Sequence, residues 1–302
     1  MGDAYATFLL LIYMLIYVSP FYLFASTRPS PMRSRDAIPV MQARTRSVIV
    51  SCCICSAATM ILLTSNNENS SVLKSVHQMG YFPLGITEVW KSLLLTSILF
   101  AGPLFERGFI ESGWKEWINW RHFKESISTW IGWRNYVVVG PVTEEILFRS
   151  ASIPIILLSR MISTPRLILQ PPLIFGLAHL HHFYEFRIMY PHAPVSAALM
   201  QSLLQLGYTT AFGAYATFLY VRSGSLLSVI LVHAFCNWVG IPRFWGKVGE
   251  YYIAVNGLVS TRSRSQVVVW TSVYYLILVM GAWGWWKLLW VLTCSSNRLV
   301  DF

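Results

Sequence analysis

Charge is scarce in this sequence. Lys and Arg number 23 and Asp and Glu 13, together 12% of 302 residues, against roughly 25% in soluble globular domains. With 55% hydrophobic residues, 15% aromatics and a mean hydropathy of +0.52, this composition excludes an ordinary soluble enzyme and points to a polytopic membrane protein. The net charge of +10 carries no nucleic-acid signal, because the basic residues lie between apolar runs, where they set topology.

Cysteine is also sparse. Cys52, Cys53, Cys55, Cys236 and Cys294 have no matching second pair for a disulfide framework or a zinc ribbon. Packing by small polarizable side chains accounts for Cys52–Cys55, and Cys236 is read the same way. The His-Glu-x-x-His helix of zinc proteases is missing. The first apolar run, residues 5–26, lacks the basic flank and cleavage pattern of a signal peptide and is expected to remain as a span. Ala6 stands where a myristoylation motif needs Ser or Thr, and Arg298–Phe302 carries no CaaX box, so anchoring falls to helices.

What is present is a series of eight apolar segments near 5–26, 47–64, 89–105, 136–159, 167–183, 194–221, 225–241 and 266–292, of a length suited to a hydrocarbon core about 30 Å thick. The expected fold is all-α: a single integral membrane domain over 1–302, with about eight transmembrane helices enclosing a polar cavity that faces the cytosol. The first connection carries Arg28, Arg33, Arg35, Arg44 and Arg46 against Asp36 alone, which assigns it to the cytosol. Residues 65–88 then face the other side, with Lys74 as their one basic residue besides His77, and they contain the sequon at Asn69. Between the third and fourth segments, Trp114, Trp117, Trp120 and Phe123 recur at three-residue spacing, which predicts an interfacial amphipathic helix within 113–135.

Against this apolar background Val139–Ser150 stands out, with Glu144, Glu145 and Arg149 inside one apolar run. Charges at membrane depth are costly unless paired or facing a wet cavity, so the cluster reads as functional. The alternating topology brings His179 and then His233 and Asn237 to a comparable depth on two other segments. Glu145 and Arg149, Phe175 and His179, and His233 and Asn237 are each four apart and share a helix face. Glu144 and Glu145 are about 100° apart around the axis, so one can face the cavity while the other pairs with Arg149. Either could be the base. A carboxylate beside a neutral imidazole can deprotonate water, and further imidazole and amide donors can stabilise an oxyanion. That chemistry suits amide hydrolysis without a covalent intermediate.

These residues resemble the type II CAAX prenyl proteases, of the Ras-converting-enzyme type, within the glutamic intramembrane endopeptidase superfamily. The three motifs stand in order: Glu144-Glu145-Ile146-Leu147-Phe148-Arg149, Phe175-Gly176-Leu177-Ala178-His179, and His233-Ala234-Phe235-Cys236-Asn237. The likeness covers about 136–240, the expected catalytic core. It implies removal of the C-terminal tripeptide from farnesylated or geranylgeranylated CaaX proteins, Ras-like small GTPases among them, at the endoplasmic reticulum membrane. It implies that Glu144 and His179 activate water, that His233 and Asn237 form the oxyanion hole, and that Glu145 and Arg149 support the site. No cofactor is expected on this reading. Two alternatives stand beside it: a zinc site built from His179, His233 and a glutamate, and a non-enzymatic scaffold or transporter whose polar layer only binds. His181 and His182 are read as interfacial.

Overall fold

The structure is a computed structural model that describes residues 1–30, 33–65, 71–119, 124–125, 128–129, 139–159, 163–253 and 259–301. Among the described residues the regular structure is helical apart from one small antiparallel hairpin and an isolated bridge between Ser30 and Arg33. The helices are α1 (Asp3–Val18), α2 (Pro20–Leu23), α3 (Ile38–Ser65), α4 (Val72–Gln78), α5 (Ile86–Leu99), α6 (Ala101–Phe105), α7 (Trp114–Ile118), α8 (Val139–Glu145), α9 (Ser152–Leu157), α10 (Thr164–Ala178), α11 (His181–Met189), α12 (Val195–Ser223), α13 (Leu226–Val239) and α14 (Arg264–Leu292). The hairpin strands are β1 (Tyr251–Ile253) and β2 (Val259–Thr261). Asn69, Trp120 and Phe123 lie outside the described residues, as does most of the expected interfacial helix. Its α7 portion is described, and Trp117 there meets Trp238 edge-on with ring centroids 5.5 Å apart.

Three helical stretches among the described residues are long and apolar enough to cross a membrane: Asp3–Leu23, Ile38–Ser65 and Arg264–Leu292. The bent pair Ile86–Leu99 and Ala101–Ile110 is a fourth if counted as one span. By length and composition, therefore, the chain is a multi-pass membrane protein. The long helix α12 carries Gln201, Gln205, Thr209 and Thr210 before or at its middle, and these residues make it more polar than a simple lipid-facing span.

Several expected segments are interrupted, for identifiable reasons. The third bends by 79° after Leu99. Pro103 lacks an N–H to bond the Leu99 carbonyl, and its ring crowds that carbonyl, so the helix cannot continue in line. The first breaks at Ser19, where Pro20 opens α2. The segment expected over 167–183 is two helices, because α10 ends at Ala178 with His179 as its C-cap and α11 begins at His181. The second segment begins earlier than expected, at Ile38.

Between α8 and α9 the chain widens into a π-helical turn, Ile146–Ala151. Such turns disturb the regular backbone ladder, and freed carbonyls must find donors elsewhere. Side chains supply them. Ser152 Oγ donates to the Leu147 carbonyl at 2.7 Å, Thr59 Oγ1 to that of Ala151 at 2.8 Å, and Cys52 Sγ to that of Thr143 at 3.3 Å. Cys52 thus packs against the motif-bearing helix while holding its backbone.

The apolar core gathers around this turn. Leu147, Ala151, Ile153 and Ile155 are fully buried among Leu10, Cys55, Leu167, Leu219, Val229 and Val232. Helices α10 and α12 approach closely through glycines: a Cβ added at Gly176 would lie 2.3 Å from Thr210 Oγ1, and one at Gly213 would lie 3.1 Å from Pro172. This contact carries Phe175 and His179 to the end of α8.

Candidate active site

Glu145 and Arg149 lie one turn apart, and both are fully buried. Arg149 Nη1 donates to Glu145 Oε1 at 3.0 Å, and Nη2 donates to the Gly213 carbonyl at 3.3 Å. The guanidinium also lies 4.6 Å from the Phe175 ring centroid and 5.9 Å from that of Phe212. Two aromatic faces and a carbonyl thus hold a cation where bulk water cannot.

His233 binds the same carboxylate oxygen, with Nδ1 2.7 Å from Glu145 Oε1. A carboxylate only accepts, so Nδ1 carries the hydrogen and Nε2 turns the other way. Nε2 lies 3.9 Å from Glu144 Oε2. The His233 ring is backed by Phe212, centroid to centroid 4.6 Å.

His179 is oriented by its own helix. Its Nδ1 lies 2.8 Å from the Phe175 carbonyl, so the hydrogen sits on Nδ1 and the Nε2 lone pair is presented outward. The Phe175 ring meets the His179 ring at 4.7 Å and the Phe148 ring at 5.0 Å. The Phe-x-x-x-His motif therefore works as one unit, the Phe backbone setting the tautomer and its ring setting the plane.

Two cavities meet at these residues. One, of about 440 Å³, is bounded by α1, α2, α3 and the α10–α11 junction and includes Arg35, Arg44, His181 and Val48 in its wall. The other, of about 660 Å³, lies among α5, α12, α13 and α14 and is mainly apolar, with Phe100, Tyr208, Phe212 and Trp285. Glu144, His179, His182 and Asn237 line both. Glu145 lines neither. The two adjacent carboxylates are thus divided, one facing open space and one sealed against Arg149 and His233.

Of the residues marked by sequence, Glu144, Glu145, Arg149, His179, His233 and Asn237 converge on this junction. His181 and His182 also enter cavity walls, beyond the interfacial reading given to them. Cys236 lines the apolar cavity. The grouping required by a zinc alternative does not form. Among the described residues, the cluster of His, Cys, Asp or Glu whose donor atoms lie within 4.8 Å of one another is His181, His182 and Glu185, not His179, His233 and a glutamate.

Some residues at the site escaped sequence reasoning. Glu185 on α11 is buried and receives Arg44 Nη2 at 2.6 Å and Arg35 Nη1 at 3.1 Å, with His182 Nδ1 2.9 Å away. Burial alone would raise its carboxyl, but the bond to His182 and the charge of Arg44 outweigh it and hold the group well below the usual carboxylate range. In the sequence, Arg35 and Arg44 register only as topology signals. Tyr17, whose hydroxyl lies 3.1 Å from Thr143 Oγ1, looks like any aromatic residue of an apolar span.

Comparison with known proteins decides the family. The family model for "Type II CAAX prenyl endopeptidase Rce1-like" matches residues 126–239. A Schizosaccharomyces pombe protein named "Probable CAAX prenyl protease 2" is 35% identical, over 88% of this chain and 86% of its own length. The chain belongs to the type II CAAX prenyl endopeptidase family. The CAAX prenyl protease 2 of Homo sapiens is 30% identical over 75% of this chain and 68% of its own length, and that of Saccharomyces cerevisiae 26% over 92% of each. No solved structure matches the chain significantly. The matched region of this prenyl endopeptidase runs from before α8 to the end of α13 and so contains every motif residue at the cavity junction.

Proposed function

We propose that this chain removes the C-terminal tripeptide from prenylated CaaX proteins, with the prenyl chain in the apolar cavity and the peptide crossing the junction. The observation that carries the reading is that Glu144, His179 and Asn237 line both cavities at once. A substrate with an isoprenoid on one side of the scissile bond and a short peptide on the other needs two compartments meeting at the reacting groups.

Glu144 is the general base, because Glu145 is occupied by Arg149 and His233 and has no access to the cavities. Water held between Glu144 and the Nε2 lone pair of His179 loses a proton to the carboxylate and attacks the carbonyl carbon of the prenylated cysteine. Negative charge then develops on that carbonyl oxygen. The Asn237 amide donates to it, and His233, held by its Nδ1–H on Glu145, turns its Nε2 edge to the same space. Collapse breaks the C–N bond, and the leaving amine takes the proton from Glu144. The products are a prenylcysteine carboxylate and a free tripeptide, with no bond formed to the enzyme.

The wider reading is a single eight-span membrane domain with residues 136–240 as catalytic core. It resides in the endoplasmic reticulum, opens to the cytosol and receives Ras-like small GTPases among its substrates. The arginine-rich first connection and the matched region support it. The test is cleavage of a farnesylated CaaX peptide by Glu144→Gln and His179→Asn in chelator-treated preparations. Each variant is expected to lose roughly 10²–10⁴ in kcat/KM with an unchanged unfolding temperature, while the chelated parent stays active. Full activity in Glu144→Gln would remove the assigned base, and full activity in His179→Asn would remove its imidazole partner.

A further inference from the structure

The smaller cavity contains more than the reaction needs. Across it from Glu144 and His179 lie two guanidinium groups, Arg35 and Arg44, gathered on the buried Glu185. Arg35 precedes α3 and Arg44 belongs to its first turns, whereas Glu185 comes from α11, so three separate parts of the chain were brought together. Arg44 is further fixed by its Nε donating to the Thr27 carbonyl at 2.9 Å and by its place 5.0 Å from the Phe21 ring centroid. Arg35 is the more accessible, with a side chain 42% exposed.

Two cations share one buried anion here. Asp36, 3.9 Å from Arg35, is itself half exposed and is therefore screened by water. At this corner of the cavity wall two guanidinium groups are set against one buried carboxylate, and planar fork donors held in this way suit a further carboxylate. The same charge disfavours a metal cation on His181, His182 and Glu185, the trio whose donor atoms lie close together.

The spacing identifies which carboxylate. His182 bridges the two ends: its ring centroid is 5.9 Å from that of His179, and its Nδ1 is 3.1 Å from Arg35 Nη1. Three extended residues span about 10 Å, which matches a path with one imidazole between His179, the partner of the base, and the guanidinium. The wall between carries Phe21, Met41 and Val48, suited to apolar side chains. We propose that Arg35, backed by Arg44 and Glu185, binds the free α-carboxylate at the C-terminus of the substrate, so that the enzyme measures three residues from chain end to scissile bond.

This subsite rests on the endopeptidase reading above. The test compares a farnesylated CaaX peptide bearing a free C-terminal carboxylate with the same peptide as its carboxamide, on the full-length enzyme and on Arg35→Gln and Arg35→Lys. The parent enzyme is expected to prefer the free acid by roughly 10- to 100-fold in kcat/KM, the range for a hydrogen-bonded charged pair. In Arg35→Gln the acid falls to the level of the amide while amide cleavage is unchanged, and Arg35→Lys recovers part of the preference. A merely structural role would depress both substrates equally and leave their ratio intact, which would overturn the subsite. Equal cleavage of acid and amide by the parent enzyme would also overturn it. Cleavage of neither peptide would overturn the endopeptidase reading and the subsite with it.

Discussion

Replacing Arg149 by Met tests whether the buried ion pair is scaffold rather than chemistry. Met fills much of the same space between Phe175 and Phe212, so the change is mainly electrostatic. It strips the 3.0 Å partner from Glu145 and leaves a carboxylate with no solvent exposure bonded to His233 alone. Removing one member of a buried pair typically costs 3–5 kcal/mol, a large part of the roughly 5–15 kcal/mol that holds a folded domain. The unfolding temperature in detergent should fall by roughly 10 °C. Adding Glu145→Gln to the same chain removes the stranded charge, and the Gln carbonyl can still accept from His233 Nδ1. The double variant should therefore regain most of the lost stability and part of the cleavage activity. Thermal unfolding and peptide cleavage of parent, both single variants and the double variant form a complete cycle. If the double variant is no more stable than Arg149→Met, the charge balance assigned to this pair is wrong.

Two further predictions follow from packing and charge elsewhere. Gly176→Val puts a branched side chain where a Cβ already lies 2.3 Å from Thr210 Oγ1 and 2.9 Å from Leu206; the forced separation of α10 and α12 should destabilise the fold by about 1–3 kcal/mol and displace His179, lowering kcat in peptide cleavage. Glu185, held well below the usual carboxylate range by His182 and Arg44 against the opposing effect of burial, contributes stability that is fully present above the ordinary carboxylate pKa and lost as pH falls through its folded value. The gap in unfolding temperature between parent and Glu185→Gln should thus be constant from about pH 6 to 8 and shrink in acid; a gap independent of pH down to 3 would show that Glu185 acts by shape alone.

How much of this was legible in the sequence depends on how local each cause is. Hydrophobic runs located the first helix and the last three long ones to within a few residues, since an apolar stretch of about twenty has few other uses, whereas the second long helix starts at Ile38, well ahead of the expected 47. The breaks were harder. Pro103 and Pro20 are visible as helix breakers, but the turn at His179–Leu180 contains no Pro or Gly, and nothing local announces it. The π-helical turn at Ile146–Ala151 depends on donors from Ser152, Thr59 and Cys52. Two of these three come from another helix and cannot be anticipated from the motif. Likewise, Arg35 and Arg44 acquire a purpose only when α11 delivers Glu185 between them.

The adjacency of Glu144 and Glu145 gains a physical reason from this geometry. Neighbouring helical residues point about 100° apart, so one turn can send a carboxylate into the helix bundle and another into the cavity while their backbones stay fixed together. The inward carboxylate bonds Arg149 on its own segment and His233 on α13, and Arg149 in turn bonds the Gly213 carbonyl on α12. Three segments are thereby tied to the peptide unit that also carries Glu144. Any shift of α13 or α12 is transmitted to Glu144, the proposed base, through a single backbone step. A base on a different helix would depend on the packing of side chains alone, and errors of about 1 Å in such positioning can cost on the order of 10²-fold in rate.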